Sequence, residues 1–161
     1  MLIITKFQFS GEEMIVKEVE LTKSITEQLI ALSEEWEKEN SCYGYHKNDL
    51  QDIEGKRIFL AMDGDKILGY LFGHSEVADE NTSVYKTGEQ YFEIDEIYVS
   101  PQYRNQGIGK KLFKYVENEV STQFDIIKLT TATKNFRAIL HFYIDELGME
   151  FWSAVLFKRV R

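Results

Sequence analysis

The residues able to do chemistry gather in one stretch of this chain. Tyr91-Phe92-Glu93-Ile94-Asp95-Glu96-Ile97-Tyr98-Val99 sets three carboxylates within four positions of an alternating, strand-like run. Ser100-Pro101-Gln102-Tyr103-Arg104-Asn105-Gln106-Gly107-Ile108-Gly109-Lys110-Lys111-Leu112 follows at once, with the chain's only proline, two glycines one residue apart and three cations. Acidic residues are poor strand formers, so three in one short strand ask for a reason. Clustered and partly buried, they would have pKa values raised towards those of useful bases. Strand alternation puts Glu93, Asp95, Ile97 and Val99 on one face, and Ile94, Glu96 and Tyr98 on the other. The glycine segment reads as a strand, a tight turn and a helix start. The first amides of a helix have no internal partner and its dipole favours an anion there. Gly107 and Gly109 let such a ligand approach the backbone closely.

Two nucleotide-binding patterns fail on this segment. A P-loop ending on Gly109-Lys110 needs a glycine where Arg104 stands and a hydroxyl where Lys111 stands. A dinucleotide fingerprint, G-x-G-x-x-G, needs its third glycine at Leu112. A third pattern, R/Q-x-x-G-x-G/A, is met at every position by Arg104-Asn105-Gln106-Gly107-Ile108-Gly109. With the preceding strand, the "YVSPQYR" turn and the amphipathic helix that follows, "EIDEIYVSPQYRNQGIGKKL" closely resembles the acetyl-CoA signature of the GNAT N-acetyltransferases. The order of elements over residues 15 to 160 also resembles that fold.

The resemblance implies that the anion is the pyrophosphate of coenzyme A, with acetyl-CoA as cosubstrate. The amides of Asn105, Gln106, Gly107, Ile108, Gly109 and Lys110 would cradle it, a nest at a helix N-terminus. Lys110 and Lys111 either add charge near a phosphate or face solvent. Arg104 either contacts phosphate or holds the turn. The backbone of Ile97 and Val99 would hydrogen-bond the pantetheine arm as a false strand. Acetyl transfer to an amine then needs a neutral amine, a stabilised oxyanion and a protonated leaving thiolate. Because an alkyl amine is mostly ammonium at neutral pH, a carboxylate is the expected partner. Counted back from the glycine loop, Glu93 and Asp95 stand where several family members carry a base or an amine-binding group. Glu93 is expected as base, Asp95 as its partner in holding the amine, and Glu96 ranks third. Downstream, "NFRAILHFYIDELGM" resembles the second family signature, N-x-x-A-x-x-x-Y followed by a glycine. Asn135 and Ala138 fit, but Phe142 stands seven after the asparagine, Tyr143 is next to it, and Gly148 comes late. One extra residue therefore precedes the tyrosine and one follows it. Tyr143 is expected as the general acid and Asn135 as a ligand of the pantetheine arm. His141 falls on a different face of the same helix.

Elements to position these groups are legible along the chain. "MLIITKFQF" and "MIVKEVEL" are strand candidates, and Ser24-Ile25-Thr26-Glu27 reads as a capping box for a helix reaching about Asn40. Ile25, Leu29, Leu32 and Trp36 recur at helical spacing. "CYGYHKNDLQDIEG" is a loop with one helical turn, and "RIFLAMDGDKILGYLFGH" is a hairpin around Asp63-Gly64. "SEVADENTSVYKTGEQ" reads as an exposed arm. The segment from Gln106 to Val120 carries Ile108, Leu112, Val116 and Val120 on one stripe, "DIIKLTTA" is a strand, "NFRAILHFYIDEL" a helix and "FWSAVLFKRV" a closing strand. The expected class is mixed α/β (α+β): one domain, residues 1–161, with a central mixed, mostly antiparallel sheet flanked by helices. The strand-helix-strand in its middle should be a right-handed parallel crossover.

Bulk properties narrow the partners. A net charge of −8 disfavours nucleic acid and suits a cationic ligand. No apolar run approaches the roughly 18 residues of a membrane span, and the N-terminus lacks a signal-peptide pattern. A single cysteine, Cys42, forms no internal disulfide and fits a reducing, cytoplasmic setting. His46 and His74 have no acid or cysteine at metal-ligand spacing, so no metal is expected. The acceptor pocket should come from Glu34–Ile53 and the Ser75–Gln90 arm, where Tyr43, Tyr45 and Tyr85 are candidate lining residues. The expected acceptor is a small cationic amine: a polyamine, an aminoglycoside-like compound or an amino sugar. A protein amine, or a non-catalytic acyl-CoA sensor on the same fold, are the alternatives. A homodimer is compatible with the resemblance.

Overall fold

The computed structural model describes residues 14–161; the strand candidate "MLIITKFQF" lies outside them. A five-stranded sheet has β1 (Ile15–Val19), β2 (Arg57–Asp63), β3 (Lys66–Val77), β4 (Gln90–Val99) and β5 (Ile127–Leu129) side by side in that order. All pairings are antiparallel except β4 with β5, which is parallel. Helix α3 (Ile108–Val120) makes the crossover between those two strands, as the sequence indicates. Helices α1 (Lys23–Glu39) and α2 (Leu50–Ile53) pack on the opposite face. Alternation in β2 shows how the sheet divides two cores. Phe59 and Ala61 face α3, with Leu71, Phe92, Ile94, Leu112, Phe113 and Val116. Ile58 and Leu60 face α1, with Leu29, Ile53, Tyr70, Phe72 and Tyr98. Each fully buried side chain of this kind contributes roughly 1.5–3 kcal/mol.

Ile25, Leu32 and Trp36 pack with buried Leu29 against that second core, as their spacing requires. The cap of α1 differs from expectation. Thr22, not Ser24, is the N-cap, its hydroxyl accepting from the Ile25 amide at 3.2 Å. The reciprocal capping box belongs instead to α2, between Asp49 and Asp52. The hairpin turns at Gly64-Asp65, one residue on from the expected Asp63-Gly64, and the arm is shorter than expected because β3 continues through Val77.

Three departures bear on the site. The β3–β4 register slips between Phe72↔Glu96 and Gly73↔Ile94, leaving Asp95 as the extra residue of a bulge. The bulge reverses the alternation. Ile94 therefore shares the α3 face with Ile97 and Val99, while Glu93, paired with His74, falls on the side of Glu96 and Tyr98. The expected grouping of Glu93 with Ile97 and Val99 is corrected by that one inserted residue. Second, the helix after β5 is α4 (Phe136–Leu140) running into a π-helical turn, His141–Glu146, closed by Leu147 N–H to the Phe142 carbonyl at 3.1 Å. A five-residue ring takes up an extra residue inside a helix. Third, "FWSAVLFKRV" forms no strand: residues 150–161 are exposed, Val155 at 97%. A strand needs an edge to pair with, and β5 is only three residues long. Its chain instead turns to residues 41–43, with Tyr43 N–H to the Ala132 carbonyl at 2.9 Å and Lys134 N–H to the Ser41 carbonyl at 2.8 Å.

Candidate active site

Past Ile94 and Leu129, β4 and β5 no longer pair, so one edge of β4 is open. Ser100 N–H donates to the Leu68 carbonyl on β3. By strand alternation the peptide groups of Ile97 and Val99 therefore point to the open edge. The chain continues through a 3₁₀ turn, Pro101–Tyr103, into the glycine segment. Asn105 (φ 60°) and Gly107 (φ 77°) adopt left-handed conformations, and Gly107 is the N-cap of α3. The first helical hydrogen bond is Lys111 N–H to the Gly107 carbonyl, at 3.0 Å. Among the described residues no protein acceptor takes the amides of 105–110. Lys110 and Lys111, both exposed, put positive charge in the first turn of α3, where the helix dipole disfavours it. An anion on the free amides would offset both. Arg104 is turned elsewhere: Nε donates to the Val99 carbonyl at 2.8 Å and both terminal nitrogens reach Glu39, at 2.8 and 2.9 Å.

The three carboxylates of β4 all lie on the α1/α2 side, in unequal surroundings. Glu93 accepts from Lys128 Nζ at 3.3 Å. Burial pulls the Lys128 ammonium down, but the bond to Glu93 and its charge outweigh it and the pKa rises. Asp95 meets Lys56 Nζ at 3.1 Å and His74 Nδ1 at 2.7 Å. Glu96 has only neutral donors, all on Oε2: Tyr70 hydroxyl at 2.8 Å, Asn48 Nδ2 at 2.9 Å and Tyr45 hydroxyl at 3.4 Å. Burial raises the pKa of Glu96, those three bonds lower it, nearby Asp52 raises it, and the net direction is upward. Burial beside Glu96 likewise pushes the Tyr70 and Tyr45 phenols upward, so both stay donors. Beside this cluster opens a cleft of about 410 Å³. Asn48, Gln51, Asp52 and Lys56 form its α2 side; Phe72, Asp95 and Glu96 form its sheet side. Three carboxylates against one ammonium make it acidic.

The π-turn sets the remaining candidates. Phe142 lies against the glycine loop: a Cβ added to Gly109 would stand 3.3 Å from its Cζ. Tyr143 packs in the α3-side core, 5.4 Å from the Phe142 ring. Burial, with a smaller effect from neighbouring Cys42, pushes its phenol up to about 12. Cys42 itself bridges to Thr133 in the contact between residues 41–43 and 132–134. Asn135, the exposed N-cap of α4, donates its amide N–H to Thr133 Oγ1 at 3.1 Å. His141 pairs with Asp145 on the surface at 2.7 Å. Of the expected lining tyrosines, Tyr45 packs tilted against Trp36 at 4.2 Å and reaches Glu96, Tyr85 stacks on Tyr91, and Tyr43 lies outside, against Phe157. The sequence reading missed Asn48, Tyr70 and Glu39. Asn48 and Tyr70 show no signal at sequence level. Glu39 has a faint one, a carboxylate at a helix end that favours cations.

Among the described residues no group of His, Cys, Asp or Glu side chains is arranged to hold a metal ion, and no helix is long and apolar enough to cross a membrane. The model of the Acetyltransferase (GNAT) family matches residues 23–149. Among curated proteins no similar sequence is found. An aminoglycoside acetyltransferase from an uncultured soil metagenomic sample, crystallised with sisomicin, has a similar structure: TM-score 0.65 at 20% identity, over 92% of this chain and 96% of that one. AAC(6')-Iy in complex with the bisubstrate analog CoA-S-monomethyl-acetylneamine gives 0.64 at 18% identity, over 93% and 99%. A transcriptional regulator from Bacillus halodurans C-125 gives 0.68 at 20%, over 91% and 99%. At such identities these likenesses speak for the fold.

Proposed function

The chain belongs to the acetyltransferase (GNAT) family, and from that premise we propose that it moves the acetyl group of acetyl-CoA to a small cationic primary amine, with Glu96 as the base. The reading rests on one juxtaposition. The acidic cleft at Glu96 adjoins the open edge of β4, and that edge leads directly into the free amides of 105–110. The amides would hold the pyrophosphate with Lys110 and Lys111 nearby, the peptide groups of Ile97 and the N–H of Val99, whose carbonyl is taken by Arg104, would hold the pantetheine arm, and Asn135 would be a further ligand of that arm. Acetyl-CoA would supply the thioester; the chain's own residues hold it, attract the acceptor and handle the protons. Asp95, Asp52 and Glu96 attract the ammonium of the acceptor. A base must be unpaired and have a pKa near the working pH. Glu93 and Asp95 are each tied to a lysine, whereas Glu96 has neutral donors and a raised pKa. That contrast favours Glu96 over Glu93, the carboxylate ranked first from the sequence. Glu96 takes one ammonium proton through Oε1, which accepts no hydrogen bond among the described residues. Tyr143, protonated throughout the neutral range, donates its hydroxyl hydrogen bond to the leaving sulfur.

The proposed setting is the cytoplasm, where acetyl-CoA is at hand, with residues 1–161 forming a single catalytic domain. That structural neighbours include aminoglycoside acetyltransferases supports a cationic acceptor. The test is thiol release from acetyl-CoA across polyamines, aminoglycosides, amino sugars and peptides. Turnover is expected with small polycations. Turnover with peptides alone would overturn the acceptor class.

A further inference from the structure

Glu39 stands where helix physics disfavours it. It is the last residue of α1, at the negative end of the helix dipole, where a cation is preferred. Its side chain is only 21% exposed and both oxygens are engaged. Oε1 accepts from the Tyr98 hydroxyl and from Arg104 Nη2, each at 2.8 Å, and Oε2 from Arg104 Nη1 at 2.9 Å. Arg104 Nε donates to the Val99 carbonyl, and the guanidinium lies 5.3 Å from the centre of the Tyr98 ring. Every nitrogen of Arg104 thus donates to the protein. The bonds join the end of α1, the last residues of β4 and the turn that opens the amide cradle. In that turn Asn105 holds a left-handed conformation at φ 60°. Asparagine tolerates that region better than other non-glycine residues, and the bonds of Arg104 hold the residue just before it in place.

We propose that Glu39 is a positioning residue for the donor loop: acting through Arg104, it holds the 104–107 turn so that the amides of 105–110 converge on one anion. The proposal rests on the reading of that loop as the coenzyme A site. It assigns Arg104 a structural partner in place of a phosphate, and it ties the acceptor-side helix to the donor loop.

Calorimetric titration of coenzyme A into the wild type, Glu39→Gln, Arg104→Gln and the double variant tests it. Either substitution opens the same clamp, so each single variant and the double should lose about tenfold in affinity, without adding. In turnover, the KM for acetyl-CoA should rise while kcat at saturating donor stays within about twofold, which a general loss of folded protein would not produce. Arg104→Lys keeps the charge but not the two-pronged geometry, so it should bind as weakly as Arg104→Gln. It also decides the matter if Glu39→Gln does not fold. Wild-type affinity in Glu39→Gln or in Arg104→Lys, or additive losses in the double variant, would overturn the proposal alone. A wild type that does not bind coenzyme A would overturn the donor-site reading and this proposal with it.

Discussion

Glu96 meets two opposing demands, and both can be measured. As a base it should be indispensable to rate: Glu96→Gln should lower kcat about 100-fold while coenzyme A binding survives, the usual scale of a lost general base. Glu93→Gln and Asp95→Asn should cost less, because each carboxylate balances a lysine. As a buried group with a raised pKa, Glu96 should also cost stability. At about pH 4 it is mostly protonated in folded and unfolded chains alike and its contribution is largely intact. As pH rises through its folded value, the folded chain must hold a buried charge and stability falls. Glu96→Gln should therefore raise Tm relative to the wild type at pH 7 and not at pH 4, by about 2–4 °C for each 1 kcal/mol relieved. Equal effects at both pH values would contradict the buried-charge account. Tyr143→Phe removes a hydroxyl with no hydrogen bond among the described residues, so Tm should hold while kcat falls about 100-fold. An unchanged kcat would remove Tyr143 from the reaction.

At the scale of elements, the bulge at Asp95 decides which side chains meet. It depends on Gly73, since a Cβ there would collide with the Glu93 carbonyl oxygen and the Phe92 ring. Gly73→Ala should therefore destabilise the fold by about 2 kcal/mol or more, the scale of overpacking against backbone, read as a lowered midpoint in denaturant. An unchanged midpoint would mean that β3 and β4 part easily there. Gly107 is a different case: a Cβ meets nothing within 4 Å, but φ is 77°. Gly107→Ala should cost roughly 1–2 kcal/mol from backbone strain alone and weaken coenzyme A binding with it. These two elements also mark how far the sequence could be read. The β2–β3 hairpin, α3 and the parallel crossover announce themselves, because their signals are local: a turn dipeptide, a four-residue stripe, a glycine start. The face shared by Glu93 and Glu96 is not local, since it depends on how β3 lies against β4. The π-turn left a trace, the misfit of Phe142 and Tyr143 to the tyrosine position, but not the geometry that absorbs it. Thr22 won the cap from Ser24 because the choice of first turn is settled by packing of the whole helix, not by a four-residue pattern.

For the whole molecule, the unplaced feature is the run from Glu150 to Arg161. Its composition promised a strand, yet Val155, Leu156 and Val160 are 97%, 91% and 83% exposed. Among the described residues its ring contacts with the rest of the chain are two aromatic edges: Trp152 against Tyr85 at 5.7 Å and Phe157 against Tyr43 at 5.4 Å. Side chains that exposed bury little area, and stabilisation follows area removed from water. The folded core closes without them, at Leu147 and Met149 against the α3 cluster. Removing residues 153–161 should accordingly leave Tm within about 2 °C, because less than 1 kcal/mol is at stake at this chain length. It should also leave turnover at Glu96 intact, since the cleft is lined from α2 and the sheet. Thermal melts and light scattering on the full and shortened chains decide it together. A fall of many degrees with unchanged mass would mean that the run packs on its own chain after all. A fall accompanied by a halved mass would mean that its apolar residues are buried against a second copy.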